Sequence, residues 1–267
     1  MTHKPPRLLT IAGSDPSGGA GLQGDLKTFA AFGCYGMAVV TAITVQNTRG
    51  VVDFTPLAPE LVRQQISALL LDLPPDGVKI GMVATAENAQ AITEALSDYT
   101  SDIVLDPVLS PSHGATLAAV GLESALTRTL MTRATLITPN LYEASVLSET
   151  SLAKTPEDMM RQGAKLLEAG ARAVLVKGGD LDGAPIDILI EPGRVTRFAG
   201  DRIKTRHTHG TGCALSSAIT TQLAQGVSLA QAIAAAKEWL QLALSAAQSL
   251  DLCEGHGPPH HFHELWR

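Results

Sequence analysis

The chain has 267 residues, 45% of them hydrophobic and only 4% aromatic, with a formal net charge of -6 at pH 7. That length has room for one large α/β domain or two small ones, and an aliphatic, aromatic-poor core suits parallel strands buried under helices. The acidic balance, with a pI near 5.7, excludes a nucleic-acid binder that works by bulk electrostatics, while leaving room for a local positive pocket.

In chain order, residues 1–7 are polar and proline-containing, and no signal peptide is expected. Residues 8–12 read as a strand, 13–21 as a Gly/Ser loop and 22–32 as a helix. The β-branched stretch 35–45 is a second strand, 60–71 a helix, 77–80 a short strand and 87–97 a helix. Strands at 102–105 and 135–138 alternate with helices at 117–128 and 141–148. A helix over 157–169 leads to a strand at 173–177. The pattern then changes: 185–191 and 194–199 flank Pro192-Gly193, a turn pair, and predict a hairpin. Two long helices, 211–225 and 229–250, follow; the second is interrupted by polar residues and reads as a core helix, so no membrane span is expected.

Repeated βα units with one late hairpin predict an α/β fold: a mostly parallel sheet with helices on both faces. No linker divides the chain, so residues 1–267 are read as a single domain. Ligands in such sheets sit at the carboxyl ends of the strands. Chemistry is therefore expected in the loops 13–21, 46–50, 81–83, 106–114, 139–143 and 177–180. Cys34, Cys213 and Cys253 are an odd number, widely spaced and without a CxxC. They predict free thiols and a cytoplasmic location.

The most informative run is His207-Thr208-His209-Gly210-Thr211-Gly212-Cys213, which opens the first of the two long helices. Glycines allow close backbone approach, and unpaired N–H groups at a helix start attract anions. Cys213 would put a thiol beside that anion. A glycine turn before an ordinary helix with a buried Cys fits the same residues.

Other candidates carry similar alternatives. The loop Gly13–Gly21 lacks both the Lys-Ser/Thr of a P-loop and the GxGxxG spacing of a dinucleotide site. It reads as a strand–helix connector or as a bed for a substrate, with Asp25 beyond it as a hydrogen-bond acceptor. Asn140 and Glu143 have capping-box spacing, or could orient Mg²⁺ and water with the strand-end carboxylate Asp106. Lys177, before Gly178-Gly179, suits phosphate neutralisation or snorkelling. His256, His260, His261 and His263 lie in a proline-containing terminal run that argues against a fixed metal geometry.

Taken together, Gly13-Ser14-Asp15-Pro16-Ser17-Gly18-Gly19-Ala20-Gly21, Asp25-Leu26-Lys27, Val45-Gln46-Asn47-Thr48, Lys79-Ile80-Gly81-Met82, Asp106-Pro107-Val108, Thr138-Pro139-Asn140, Val176-Lys177-Gly178-Gly179 and Thr208-His209-Gly210-Thr211-Gly212-Cys213 occur in one order. This closely resembles the hydroxymethylpyrimidine/phosphomethylpyrimidine kinases of thiamine biosynthesis, in the ribokinase-like superfamily. The resemblance implies a three-layer α/β/α sandwich and transfer of the ATP γ-phosphoryl group to 4-amino-5-hydroxymethyl-2-methylpyrimidine, then to its monophosphate. It implies Gly13, Asp25, Gln46, Met82 and Val108 around the pyrimidine, and Asp106 and Glu143 near Mg²⁺. It further implies Asn140, Lys177, Gly210, Thr211 and Gly212 around phosphate, with Cys213 as a candidate base. A cytoplasmic homodimer with no nucleic-acid or membrane partner is expected, an aliphatic face on the last two helices permitting the pairing. A pyridoxal kinase, or a non-catalytic pyrimidine binder, is the alternative. The run Asp106–Gly114 departs from the family in carrying His113 where a lysine is usual, which bears most on the second, already anionic acceptor.

Overall fold

The computed structural model describes residues 4–109 and 121–266. The amino-terminal half contains β1 (Arg7–Ser14), α1 (Gly21–Ala31), β2 (Tyr35–Asn47), β3 (Gly50–Pro56), α2 (Pro59–Asp72), β4 (Gly77–Ile80), α3 (Ala86–Ala95) and β5 (Ile103–Leu105). There follow α4 (Leu122–Arg128), α5 (Leu130–Arg133), β6 (Leu136–Ile137), α6 (Leu141–Leu147), α7 (Pro156–Glu168), β7 (Val174–Val176), β8 (Ile186–Glu191), β9 (Arg194–Ala199), α8 (Thr211–Ala224) and α9 (Leu229–Ala246). A 3₁₀ turn, Ala247–Leu250, ends α9.

One nine-stranded sheet has the order β3-β2-β1-β4-β5-β6-β7-β8-β9. Its centre, β2 through β7 in that order, is parallel, and β3, β8 and β9 are antiparallel additions at the edges. The chain leaves β1 for β2 on one side and later returns as β4 on the other. The carboxyl ends of β1 and β4 therefore form a topological switch point, where a crevice opens.

Successive side chains of a strand point to opposite faces. Leu9, Ile11, Ile80, Leu105, Val174 and Val176 pack against α2 through α7. Val104, Leu136, Leu175 and Leu189 pack against small and aliphatic residues of α8 and α9, and Leu8 meets Phe29 of α1. Each such Leu or Ile, fully enclosed, contributes about 1.5–3 kcal/mol of burial. Most of the aliphatic face of the last two helices packs on the sheet, with Leu242 of α9 left about half exposed. Exposed apolar side chains also stand on the edge ribbon, with Ile43, Val45 and Val52 all at least half exposed.

Two elements differ from expectation. β3 has no counterpart among the expected strands, because only Val51 of its seven residues is buried and an edge strand carries little periodic signal. The helix expected over 117–128 begins at Leu122 among the described residues, its first positions lying outside them, and α5 follows as a separate turn. The carboxyl-terminal segment packs back on the domain. His256 N donates to Thr48 O, His209 N to Gly257 O, and His260 N to Ala243 O. His261 and His263 lie 6.4 and 5.9 Å from the Trp239 ring. His261 and His263 pack on the Trp239 ring, and among the described residues no group of three or more His, Cys, Asp or Glu side chains is placed to hold a metal.

Candidate active site

The crevice is a cleft with a cavity volume of about 140 Å³ that opens to solvent. One wall is the loop after β1, organised by Asp15. Its Oδ1 accepts from Ser17 N at 2.9 Å and Ser17 Oγ at 2.7 Å, and its Oδ2 from Gly19 N at 3.1 Å and Ala20 N at 2.8 Å. His209 Nε2 lies 2.8 Å from the same Oδ2. Burial opposes the Asp15 charge, but the His209 and Ser17 hydrogen bonds prevail and hold the carboxyl down at about 2. Asp15 thus ties this loop to the turn that starts α8, 194 residues away.

That turn makes the opposite wall. Gly210 caps α8 with φ 82° and no side-chain cap, so the first N–H groups have no side-chain acceptor. Gly212 comes so close to the next group that a β-carbon there would lie 3.1 Å from Lys177 Nζ and 3.5 Å from Asp106 Oδ2. The Cys213 thiol is pushed up to about 11, chiefly by burial; Lys79 and the Gly21 N–H pull down, and Asp25 and Asp106 push up. Burial outweighs the helix dipole, so the resting sulfur carries its proton at neutral pH.

Lys177, Asp106 and Glu143 meet at the floor. Lys177 Nζ donates to Asp106 Oδ1 at 2.8 Å, and Thr138 Oγ1 donates to the same oxygen at 3.1 Å. Burial disfavours both charges, yet each holds the other ionised: Lys177 is raised to about 12 and Asp106 lowered. Glu143 completes a capping box with Asn140, each side chain bonding the other's backbone N–H at 2.8 Å. Burial raises its carboxyl to about 7, with Lys177 opposing and Asp106 adding to the rise. Capping and a cleft position are therefore both true of Asn140 and Glu143. Two enclosed carboxylates without a third fit Mg²⁺, which keeps waters and takes phosphate oxygens, better than an all-protein cage.

Gly13, Gln46, Met82, Val108, Asp106, Asn140, Glu143, Lys177, Gly210, Gly212 and Cys213 all line this one cleft. A β-carbon on Gly13 would sit 2.9 Å from Met82 Sδ, so the glycine makes room for the thioether. Two expected residues are not among the side chains lining the cleft. Thr211 turns its hydroxyl back to Thr208 O at 2.9 Å. Asp25, expected against the substrate, is fully buried behind the cleft, its oxygens occupied by Thr10, Lys79 and Ser217. His113 falls outside the described residues.

The sequence reading missed Asp15 and His209 as a pair. Gln46 Nε2 lies 3.2 Å from the same His209 Nε2 that meets Asp15, so this one ring nitrogen either donates to the carboxylate or accepts from the amide. An Asp two residues before Ser is an Asx-turn signal, but its reach to position 209 is set by tertiary packing. His256 also lines the cleft, delivered by the returning tail.

A parallel sheet with its cleft at the β1/β4 switch point and an uncapped, glycine-started helix across from a lysine defines the class: a ribokinase-like kinase of small molecules. Comparison with known proteins narrows this. The family described as phosphomethylpyrimidine kinase matches residues 15–260, and the chain belongs to that family. A hydroxymethylpyrimidine/phosphomethylpyrimidine kinase of Rhizobium meliloti (strain 1021) is 45% identical over 260 residues, 97% of this chain and 98% of that protein. A crystal structure of phosphomethylpyrimidine kinase from Clostridium difficile 630 is 40% identical with a TM-score of 0.79, covering 89% of this chain and 99% of that one. The Staphylococcus aureus pyridoxal kinase in complex with AMP-PCP is 32% identical with a TM-score of 0.89, covering 98% and 96%.

Proposed function

We propose that this chain transfers the γ-phosphoryl group of ATP to the hydroxymethyl group of 4-amino-5-hydroxymethyl-2-methylpyrimidine, and then to the resulting monophosphate, in thiamine biosynthesis. The observation that carries the reading is the convergence, in one cleft, of the α8 start and Lys177 with the Gln46 amide and Met82. Amide hydrogens and an ammonium offer positive charge to a migrating phosphoryl group, and an amide with an apolar thioether suits a flat aminopyrimidine. Residues 1–267 act as a single kinase domain in this reading, with the strand-end loops, the start of α8 and the returning tail all meeting at one cleft.

The acceptor hydroxyl oxygen forms a bond to the γ-phosphorus as the bond to the ADP oxygen breaks. Charge on the equatorial oxygens meets the N–H groups of Gly212 and Cys213 and the Lys177 ammonium, which turns from Asp106 toward the phosphate. Asp106 and Glu143 would hold Mg²⁺, which would supply neutralisation of phosphate charge. Cys213, protonated at rest, relays: it takes the alcohol proton as its own passes to a phosphoryl oxygen. A Cys213→Ala enzyme with an unchanged single-turnover rate would remove this role.

The test is ADP release with the pyrimidine alcohol, its monophosphate and pyridoxal, product masses confirmed. Turnover of the alcohol above pyridoxal is expected; turnover of pyridoxal alone would make the second reading, a pyridoxal kinase, the right one. That second reading draws on the backbone likeness to the pyridoxal kinase above. Binding without ADP release would remove both.

Two chains pair in this reading through the β2–β3 ribbon, whose exposed Ile43, Val45 and Val52 would be covered. Light scattering of Val45→Glu against the parent tests it. A cytoplasmic location is part of the reading, supported by three free cysteines and checked by cell fractionation. Among the described residues no helix is long and apolar enough to cross a membrane.

A further inference from the structure

Strand β4 is buried along its whole length, yet its third residue is Lys79. Lys79 and its register partner Thr10 on β1 point to the sheet face that carries α1 and α8, where neighbouring strands present Val104, Leu136 and Leu175. The ammonium donates to Asp25 Oδ1 at 2.9 Å and Oδ2 at 2.8 Å, and neither side chain has any exposed surface. Gly81 gives the ammonium its space, since a β-carbon there would lie 2.7 Å from Nζ. A buried ion pair is weak evidence for stability, because desolvating two charges offsets their attraction. Its position calls for another account.

The remaining Asp25 bonds supply one. Thr10 Oγ1 donates to Oδ2 at 2.6 Å and Ser217 Oγ to Oδ1 at 2.8 Å. Other buried hydroxyls of α8 bond back to their own helix: Ser216 to Gly212 O, Thr220 to Ser216 O, Thr221 to Ala218 O. Ser217 alone among these four leaves the helix for a charge. It lies four residues after Cys213 and hence one turn beneath it on the same face. The loops that follow β1 and β4 carry Gly13 and Met82 into the cleft.

We propose that Asp25 and Lys79 are positioning residues that moor the start of α8, through Ser217, to strands β1 and β4 and hold a fixed charge pair under Cys213. The proposal rests on the kinase reading above. Charged groups facing the thiol come from every surrounding element: Lys79 from β4, Asp25 from α1, Asp106 after β5 and Lys177 after β7. Of these, the pair alone lies behind the cleft wall, where no ligand reaches it.

The test measures, for Asp25→Asn, Lys79→Met, Lys79→Met/Asp25→Leu and Ser217→Ala, both steady-state turnover and the pH profile of iodoacetamide labelling at Cys213. Mass analysis separates Cys213 from Cys34 and Cys253. Asp25→Asn is expected to shift the labelling midpoint down and Lys79→Met up, each by about one pH unit, a tenfold change in thiolate. A merely structural role would not move the two in opposite directions. Ser217→Ala and the double variant are expected to lose about tenfold in kcat with KM within about threefold, the loss set by a misplaced helix start. Shared midpoints among folded variants, or wild-type kcat in Ser217→Ala, would overturn the proposal. Where the single charge variants do not fold, Ser217→Ala and the double variant decide by kcat. Failure of the parent to turn over the pyrimidine alcohol would instead refute the kinase reading, and the labelling shifts would still judge the pair.

Discussion

Two glycines at opposite ends of α8 share the same backbone angle and differ in their surroundings. Gly210 and Gly226 both have φ 82°. A β-carbon at 226 meets nothing within 4 Å, whereas one at 210 would lie 2.8 Å from the Gly19 carbonyl carbon and 3.0 Å from Ala20 Cα, with the Gly19 oxygen closer still. Alanine in the left-handed region costs about 1–2 kcal/mol, and that is the whole expectation for Gly226→Ala. Gly210→Ala adds overpacking against backbone of about 1–3 kcal/mol, for a total of about 2–5 kcal/mol. The lesser route is for the two loops to separate, and a shift near 1 Å at a reacting site is worth about 10²-fold in rate. Urea unfolding gives the stability difference from the midpoint, and ADP release with the pyrimidine alcohol gives the rate. Gly226→Ala should keep parental turnover with a small midpoint shift. Equal midpoint shifts for the two variants, with full turnover by Gly210→Ala, would refute the claim that backbone approach between the loops builds the cleft.

Removing Lys177 as methionine takes from the buried Asp106 carboxylate its hydrogen-bonded cation, so a loss of about 3–5 kcal/mol in unfolding free energy is expected alongside lost turnover; unchanged denaturant midpoints would contradict it. Asp15 is held low in the folded chain, so the stability it adds is present above the ordinary carboxylate range and lost as pH falls through about 2. The gap between parent and Asp15→Asn, read by thermal melts, should therefore be open at pH 7 and close under acid. His261 is depressed to about 4, by burial first and then by Lys27 and His260. As pH falls from 6.5 toward 4 the unfolded chain takes a proton that the folded chain refuses, costing about 2–3 kcal/mol. His261→Phe should flatten that slope in pH-resolved unfolding. Deleting residues 252–267 removes Gly257 O from His209 N and His256 from the cleft; a KM for the acceptor raised about tenfold in a folded chain is expected by ADP-release kinetics.

Much of the architecture was legible because buried parallel strands are continuous apolar runs and amphipathic helices repeat every three to four residues. Hence 77–80, and the hairpin around Pro192-Gly193, were read almost to the residue. The edge strand Gly50–Pro56 escaped because solvent on its side chains erases the pattern. In the cleft, Lys177, Asp106 and the glycine turn could be found because strand ends and helix starts are local features. Asp25 was misplaced for a physical reason. A carboxylate on a helix looks the same whether it faces a ligand or a lysine on a strand 54 residues away. Lys79 itself drew no notice as a charge, although a lysine inside a four-residue strand buried throughout was the available signal. The Asp15–His209 bridge and the tail's return to Thr48 were beyond sequence reading because both are set only when distant elements pack.

The Asp15–His209 bridge has a consequence for how ligands influence one another. It ties the loop after β1 to the turn that starts α8 through a single carboxylate, with Gln46 against the same imidazole nitrogen; in the proposed kinase these are the acceptor and phosphate sides of the cleft. A compound that tightens this bridge on one side would change the affinity of its companion on the other, and the factor would be the same whichever of the two bound first.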